Sequence, residues 1–309
     1  MRCLITGAAG FVGGPLVDRL QKERLWELQV TTRSEAASFP ADIRHFPIDI
    51  TSETDWTAAL GGVDVVVHLA ARVHIMNDRA ADPLSEFRRI NTAATLNLAE
   101  QAARAGVKRL VFISSIKVNG EENDRPFRHD DTPMPLDPYG ISKLESEIGL
   151  HEIAARTGIE VVVIRPPLVY GPGARGNFAL LVGLVRKRIP LPFASLKNRR
   201  TLVALPNLVD LIITCMTHPR AAGQTFLAGD GEDLSTPGLI EGIAAGLGVK
   251  PMLLPFPPAL LRLGARVTGK DAVYQRLCGS LQVDISHARN VLGWSPIVTS
   301  REGLKLAVK

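Results

Sequence analysis

The stretch "TGAAGFVGG", from Thr6 to Gly14, decides the fold. It follows the apolar run "RCLI" and precedes an amphipathic segment, and its glycines Gly7, Gly10 and Gly13 are spaced G-x-x-G-x-x-G. Such a turn lets the backbone approach a pyrophosphate, while the following helix presents free N–H groups and the positive end of its dipole. A plain glycine-rich turn is the alternative, but the position between strand and helix favours dinucleotide binding.

The first half of the chain continues to alternate. Apolar runs predict further strands at residues 28–33, 63–71, 109–115 and 159–167, and helices are predicted at 11–23, at 84–106 and from Pro138 onward. This order indicates an α/β fold with a doubly wound parallel sheet, a Rossmann fold. We expect a dinucleotide-binding domain at residues 1–165. Residues 166–309, where prolines multiply, should form mainly a smaller C-terminal substrate-binding lobe, with about 200–217 returning to the first domain.

Composition narrows the function classes. The 309 residues are 46% hydrophobic and 22% charged, as in globular proteins. A net charge of +5 without a long Lys or Arg tract argues against nucleic-acid binding and suits an anionic small molecule. Cys3, Cys215 and Cys278 lie far apart and cannot all pair, which favours a reducing cytoplasm. The seven histidines are scattered, so we expect no metal site.

Two stretches bear on targeting and membranes. The N-terminus "MRCLITGAAG" turns glycine-rich too early for a secretory signal, and no apolar run is long enough to span a bilayer. The late stretch "PMLLPFPPALLRLGARVTG", residues 251–269, is broken by prolines and carries two arginines. It predicts a packing helix in the C-terminal lobe, with membrane-surface contact as the alternative.

The end of the second strand bears on the choice of dinucleotide. An acid there would bind the ribose hydroxyls of NAD, but "VTTRSEAA" places Arg33 at this point. Arg33 can pair with a 2′-phosphate, which slightly favours NADP(H). NAD(H) is the alternative, because Glu35 can turn toward the ribose hydroxyls in place of the missing acid. In a third interpretation Arg33 is simply a solvated residue at the strand end. Asp49, after the next expected strand, is a candidate acceptor for the adenine amino group, or a helix or turn cap.

The stretch "LDPYGISKLESE", residues 136–147, places Tyr139 and Lys143 one helical turn apart. Ser115 ends the strand that precedes them, and the carboxyl ends of parallel strands meet over the cofactor cleft. We expect Lys143 to lower the pKa of Tyr139 from about 10 and to reach the nicotinamide ribose. Ser115 would hold a substrate oxygen. Tyr139 alone could be a packing residue, but the combination predicts proton transfer beside a hydride carrier.

Seven motifs now carry a resemblance that covers nearly the whole length. They are, in order, "TGAAGFVGG", "VVHLAA", "INTAATLNL", "ISSIKVNG", "PYGISK", "RPPLVYGPG" and "LGWSP". The chain resembles the extended short-chain dehydrogenases/reductases, in particular the NAD-dependent nucleotide-sugar epimerase/dehydratase family. The resemblance implies that Ser115, Tyr139 and Lys143 are catalytic. Together with the residue pattern, it gives these cofactor-binding residues: Gly7, Gly10, Phe11, Val12, Gly13, Arg33, Asp49, Ile50, Leu69, Ala70, Ala71, Asn91, Tyr139, Lys143 and Pro166.

The second half resembles family members that act on UDP-sugars. The resemblance implies that Asn177 and Arg200 bind the UDP diphosphate, that Ser115 and Lys117 contact the sugar, and that Arg276 is a possible second phosphate ligand. For Arg200 a charged strand edge is the alternative. The family also implies a homodimer formed through helices at residues 84–105 and 138–157.

Departures from the family pattern bear on the reaction. Lys117 and Asn119 stand where many epimerases have Thr and Tyr, and Leu168 replaces a common asparagine. These departures argue against plain UDP-galactose 4-epimerase activity, and the stretches "SSIKVNGE" and "PLP…NRRTLV" resemble family members that reduce 4-keto-6-deoxy UDP-N-acetylhexosamines for surface polysaccharides. The main alternative is a UDP-glucose or UDP-N-acetylglucosamine 4-epimerase.

Two further function classes stay open. One is a reductase of a non-nucleotide carbonyl, which would not need Asn177 or Arg200. The other is a non-catalytic NADP-binding regulator, although the retained Tyr139 and Lys143 argue against it. A dehydratase is disfavoured because "SSIK" has no adjacent Asp-Glu pair.

Overall fold

The computed structural model describes residues 1–73 and 82–309. Its strands, in chain order, are β1 (Arg2–Thr6), β2 (Glu27–Thr32), β3 (Arg44–Pro47), β4 (Val65–His68), β5 (Arg109–Ile113), β6 (Glu160–Arg165), β7 (Leu168–Tyr170), β8 (Arg200–Ala204), β9 (Thr225–Leu227) and β10 (Asp233–Leu234). Seven of them form a parallel sheet in the order β3-β2-β1-β4-β5-β6-β9. The order reverses between β1 and β4, which confirms the predicted doubly wound sheet.

The helices differ from the sequence prediction mainly at their ends. In chain order they are α1 (Gly13–Glu23), α2 (Thr57–Leu60), α3 (Pro83–Phe87), α4 (Ala94–Arg104), α5 (Pro138–Thr157), α6 (Asn177–Arg186), α7 (Leu205–Thr217), α8 (Thr236–Leu247), α9 (Pro258–Val267), α10 (Asp271–Cys278), α11 (Ser286–Leu292) and α12 (Ser300–Ala307). The helix predicted over 84–106 is divided, because a wider π-helical turn at Arg88–Ala93 separates α3 from α4. Phe11 and Val12 belong to the glycine turn, so α1 starts two residues later than predicted.

Both faces of the large sheet are covered by helices. In β1, Ile5 packs into an apolar cluster that includes side chains of α1 and α7, whereas Leu4 packs into a second cluster with side chains of α4 and α5. Successive residues of a strand point to opposite faces, so each strand supplies both clusters. All four residues of β4 are buried, as predicted for a strand covered on both sides.

The C-terminal half builds a separate, smaller core. A three-stranded sheet in the order β10-β8-β7 packs with α6, α8 and α12 around a third apolar cluster. Helix α7 behaves differently, because its side chains, among them Leu208 and Ile212, belong to the core of the large sheet. The division near residue 165 stays a proposal, because β9 (Thr225–Leu227) as well as α7 joins the large sheet and its core.

Helix α9 lies within the stretch predicted to be a packing helix. The helix is present, but none of its residues is buried. The helix packs only through its less apolar side, where Leu261 and Ala265 are partly buried, so the prediction that its apolar face packs on the lobe is wrong. Among the described residues, no helix combines the length and apolar character that crossing a bilayer requires.

Asp230 joins the two parts of the molecule. Its buried carboxylate accepts hydrogen bonds from the Tyr170 hydroxyl at 2.7 Å, the Asn207 side-chain amide at 2.7 Å and the Ala204 backbone N–H at 2.8 Å. Tyr170 belongs to β7, Ala204 to β8 and Asn207 to α7, so one carboxylate connects the small sheet with a helix of the large core. Burial raises the pKa of Asp230 above its ordinary value.

We predict that Asp230→Ala lowers the free energy of unfolding by at least about 3 kcal/mol, because three buried donors lose their acceptor. Tyr170→Phe should cost less, about 1.5 kcal/mol, because it removes one hydrogen bond and leaves the carboxylate its other donors. Urea unfolding followed by circular dichroism measures both. A cost for Asp230→Ala no larger than that of Tyr170→Phe would contradict the connecting role.

Candidate active site

The glycine turn between β1 and α1 is shaped by close backbone contacts. Gly7 has φ +69°, and a Cβ added there would lie 3.0 Å from the Ala70 backbone nitrogen. A Cβ at Gly13 would lie 2.2 Å from the Gly7 carbonyl oxygen. Any other residue at either position would displace backbone, so the turn requires glycine. No side chain caps the N-terminus of α1, which leaves its first N–H groups directed at the turn.

The floor of the cleft is fixed by a buried polar chain. Leu69 and Ala70, after β4, donate their backbone N–H groups to Thr6 Oγ1, each at 3.2 Å. Thr6 Oγ1 also bonds His68 Nδ1 at 2.7 Å, and His68 Nε2 bonds Thr95 at 2.9 Å. Burial, followed by the charge of Lys143, lowers the pKa of His68 to about 3, so the imidazole is neutral. Residue pattern alone did not single out Thr6 and His68 as site residues; the available signal was their position at two strand ends beside the switch point.

The candidates for the adenosine end are more exposed. Arg33 and Asp49 are exposed after β2 and β3, and Ile50 is partly buried against the core. Asp49 uses its backbone carbonyl to accept a bond from Thr54 Oγ1 at 2.9 Å, while its carboxylate is open to solvent. The structure therefore brings these residues to the carboxyl edge of the sheet without fixing their side chains.

The three predicted catalytic residues converge. Ser115 lies just after β5, and its hydroxyl lies close enough to the phenol of Tyr139 on α5 to lower the pKa of that phenol. Lys143, one turn further along α5, is buried and donates to the Ile113 carbonyl at 2.8 Å. Its Nζ lies 4.4 Å from the centroid of the Phe112 ring and 6.0 Å from that of Tyr139. The convergence follows from the parallel sheet, because β5 ends where α5 begins to cross it.

The electrostatics of this group differ from the prediction. Burial, with a smaller effect of Asp137, raises the pKa of Tyr139 to about 12, although the bond from Ser115 lowers it in part. Burial also lowers the pKa of Lys143 to about 7, against the charge of Glu147. The prediction that Lys143 brings the pKa of Tyr139 below 10 is therefore wrong: desolvation outweighs a partly neutral amine whose Nζ is bonded to a carbonyl.

A buried ion pair supports this group from below. Glu147, one turn after Lys143, is bonded by Arg165 of β6, with Nε 3.0 Å and 3.2 Å from the two carboxylate oxygens. Ser114 donates to the same carboxylate, and Arg165 Nη1 donates to Asn119 Oδ1 at 3.0 Å. Both charged side chains are almost fully buried. The network ties α5 to β5, β6 and the loop after Ser115, and the sequence analysis did not identify it.

Asn91 links the π-helical turn to the same helix. Its side-chain amide donates to Ser142 Oγ at 3.1 Å and to the Arg72 carbonyl at 3.0 Å, and its Oδ1 accepts from the Arg72 N–H at 2.8 Å. Asn91 thus lies beneath α5 and holds the loop that follows Ala71. Pro166, after β6, accepts a bond from the Ile116 N–H at 3.0 Å, so it lies beside the Ser115 loop.

Lys117 is engaged within the protein. Its Nζ forms ion pairs with Asp137, the N-cap of α5, and with Glu121 at 3.0 Å. Asn119, two residues later, is buried; its amide donates to the Arg128 carbonyl at 3.2 Å while Arg165 bonds its oxygen. A sugar contact by Lys117 would have to share these carboxylates, whereas Asn119 has no free side-chain face.

The predicted diphosphate ligands lie in the second lobe. Asn177 is the first residue of α6 and Arg200 the first of β8. Arg200 is largely buried, donates to the Gly279 carbonyl at 3.0 Å, and has its pKa lowered by that burial. Arg276 lies on α10, and Gly279, whose carbonyl accepts the bond from Arg200, directly follows that helix.

The described residues fit a dinucleotide. A Cβ would obstruct the turn at Gly7 and Gly13, no side chain caps the N-terminus of α1, and the residues predicted to transfer a proton converge after the carboxyl end of β5. These features define the class as an extended short-chain dehydrogenase/reductase, an enzyme that binds a nicotinamide dinucleotide.

Comparison with known proteins supports the same class of enzyme. The profile of the NAD dependent epimerase/dehydratase family matches residues 3–229, and the chain belongs to this family. A UDP-glucose 4-epimerase of Vibrio cholerae is 46% identical over 98% of this chain and 93% of its own length. A UDP-glucose 4-epimerase of Mycolicibacterium smegmatis is 31% identical over 100% and 98%. The crystal structure of a UDP-glucuronic acid 4-epimerase from Bacillus cereus in complex with NAD has the same fold, with a TM-score of 0.81 at 23% identity over 100% of this chain and 96% of that one.

These similarities revise two expectations. They favour the 4-epimerase alternative and give no support to the 4-keto reductase that the sequence analysis preferred. They also give no support to NADP, since the B. cereus structure contains NAD. The reductase prediction drew on Lys117 and Asn119, and the structure engages both side chains within the protein.

We predict that Glu147→Gln moves the alkaline limb of the kcat/KM profile to lower pH. The carboxylate raises the pKa of Lys143; a neutral amide removes this effect, so the ammonium deprotonates at lower pH. The control is Glu145→Gln, on the same helix, whose carboxylate bonds Arg88 at the surface. An unshifted profile in folded Glu147→Gln, or an equal shift in the control, would contradict the electrostatic role.

Proposed function

We propose that this enzyme interconverts UDP-hexoses that differ in configuration at C4, with UDP-glucose and UDP-galactose as the first pair to test. The observation that carries the proposal is the convergence of Ser115, Tyr139 and Lys143 after the carboxyl end of β5, which suits proton transfer at a carbinol. Similarity to the V. cholerae UDP-glucose 4-epimerase over 98% of the chain selects epimerisation among the reactions that such a site can perform.

In the proposed reaction, Tyr139 Oη takes the proton of the C4 hydroxyl and later returns it to the same oxygen. Ser115 Oγ, close to that phenol, holds the C4 oxygen in place. Bound NAD supplies a hydride acceptor that afterwards serves as donor, so none is consumed. Burial raises the pKa of Tyr139 to about 12, so we propose that the phenol acts as a base only while Lys143, whose Nζ lies 6.0 Å from the ring centroid, carries its proton.

The 4-keto reductase remains a weaker second candidate. It rested on the idea that Lys117 and Asn119 fix one orientation of the sugar through a polar group. Lys117 is paired with Asp137 and Glu121, and Asn119 is buried. With these side chains engaged, the loop offers no evident restraint on rotation of a keto sugar, which epimerisation requires.

We propose NAD(H) as the cofactor. Arg33 is exposed at the end of β2, where its side chain is not held toward a 2′-phosphate, and Glu35 follows two residues later. The proposed contacts are the glycine turn for the pyrophosphate, Leu69, Ala70 and Ala71 along the cleft floor, and Lys143 at the nicotinamide ribose. The family's name and the NAD in the B. cereus epimerase support this choice.

We propose that Asn177, Arg200 and Arg276 bind the UDP diphosphate. Arg200 is largely buried and Arg276 lies on the neighbouring helix α10, so a doubly charged anion would find two guanidinium groups in one region.

We also propose a homodimer formed through α5 and the helices at 84–105. The exposed side chain of Ile148 on α5 supports this proposal. Sedimentation velocity of wild type and Ile148→Glu tests the dimer.

The decisive assay mixes the pure protein with UDP-glucose and no added cofactor, and follows the sugar by proton NMR. We expect UDP-galactose to form, and we expect NAD in the supernatant of heat-denatured protein. Oxidation of NADPH that depends on a 4-keto-6-deoxy UDP-sugar, with no epimer formed even when NAD is added, would overturn the proposal.

We predict that Tyr139→Phe lowers turnover at least a thousandfold and leaves dinucleotide affinity within about twofold, because the phenol transfers a proton but contributes little to cofactor binding. Lys143→Met should impair both, because the ammonium serves both. Tyr274→Phe, far along the chain on α10, is the control. Near-normal turnover of Tyr139→Phe would refute the catalytic assignment.

We predict that Arg200→Ala weakens UDP binding tenfold or more, since a hydrogen bond between charged groups is worth about 1.5–3 kcal/mol. The matched control is Arg199→Ala, because Arg199 is the exposed neighbour. Isothermal titration calorimetry with UDP measures both. Equal affinities in the two variants would place the diphosphate elsewhere.

A further inference from the structure

Exposed apolar side chains gather in one short part of the C-terminal lobe. Of the eighteen large apolar residues that are exposed among the described residues, six fall at positions 252–267. They are Met252, Leu254, Phe256, Leu260, Leu263 and Val267. We call the exposed side of residues 252–267 the α9 surface. A concentration of this kind on a folded chain marks an interaction surface more often than scattered single residues do.

Helix α9 presents these residues as a stripe. Leu260, Leu263 and Val267 are spaced i, i+3, i+7, which places them on one face, and they are 52%, 57% and 81% exposed. Leu261 and Ala265, on the other side of the helix, are partly buried. The helix is therefore anchored by one face and directs its more apolar face to solvent.

The same part of the chain is strongly basic. Residues 250–276 contain five Lys and Arg but one acid, a net charge of +4 out of +5 for the whole chain. Arg262 and Arg266 lie one turn apart on α9, beside the apolar stripe, and the single acid, Asp271, lies 3.9 Å from Arg266. A partner that binds the α9 surface must therefore present both apolar groups and negative charges.

We propose that the α9 surface docks on the face of an anionic phospholipid bilayer, with the leucine stripe among the upper acyl chains and the arginines at the phosphates. An amphipathic helix with apolar and basic faces binds such bilayers, because burial of its apolar side chains and attraction of its basic side chains to anionic lipids both contribute. A second copy of the chain is a poorer occupant, because paired α9 surfaces would bring Arg262 and Arg266 of both copies together.

The proposal is independent of the proposed function, because none of the α9 residues belongs to the candidate catalytic or cofactor-binding set. It describes where the enzyme resides, and the reaction can proceed with the surface free. Failure of one proposal therefore leaves the other standing.

The test is flotation of the full chain with vesicles of phosphatidylglycerol and phosphatidylcholine, compared with vesicles of phosphatidylcholine alone. We expect binding to the anionic vesicles only, weakened as salt rises, because exposed charges are screened. Leu260→Ser/Leu263→Ser and Arg262→Glu/Arg266→Glu should each weaken this binding at least tenfold. The positions are exposed, so circular dichroism and the unfolding midpoint should stay unchanged.

A matched control separates the α9 surface from net charge. Arg301→Glu/Lys305→Glu on α12 changes the net charge by the same amount at exposed positions, and it should bind vesicles like the wild type. Absence of binding to anionic vesicles at low salt would overturn the proposal, as would equal losses in the α9 and α12 variants. Self-association that Leu260→Ser/Leu263→Ser abolishes, without vesicle binding, would make the surface a protein interface instead and also overturn it.

Discussion

The buried ion pair between Glu147 and Arg165 is the interaction on which the candidate site depends. Charges at this depth are tolerated only when every oxygen and N–H finds a partner, and here Ser114 and Asn119 complete the set. These residues come from α5, β6 and the segment that follows β5, so the pair fixes the elements that carry Ser115, Tyr139 and Lys143 relative to one another. The same carboxylate keeps part of the positive charge on Lys143. The Glu147–Arg165 pair therefore determines both the arrangement of the site and part of its electrostatics.

Local pattern predicted the sheet and the convergence of Ser115, Tyr139 and Lys143, because glycine spacing, alternation of strands and helices, and the rule of strand ends act over short distances. It could not predict the Glu147–Arg165 pair, since a Glu in a helix and an Arg in a strand read as surface residues until the fold buries both. It also misjudged the pKa of Tyr139, because the neighbouring lysine is visible in the sequence whereas the degree of burial is not.

Helix α9 also shows that a sequence pattern does not reveal which side chains are buried. An amphipathic pattern records that a helix has an apolar face, but the pattern is identical whether that face meets a core or solvent. The pattern predicted packing, and the structure leaves the face exposed. In Lys117 and Asn119, likewise, residue type suggested contacts to a sugar, and the fold instead uses both within the protein.

The three free cysteines differ in burial, so one of them can serve as a selective labelling site. Burial raises the pKa of Cys3 and of Cys215, so their thiols stay protonated and sealed from reagents. Cys278 is only half-buried, with its pKa raised to about 11 but lowered in part by Arg200. A maleimide dye added to the native enzyme at mildly alkaline pH will therefore attach mainly at this one position, beside the guanidinium assigned to the diphosphate. The natural sequence can carry a fluorophore there without any engineered substitution.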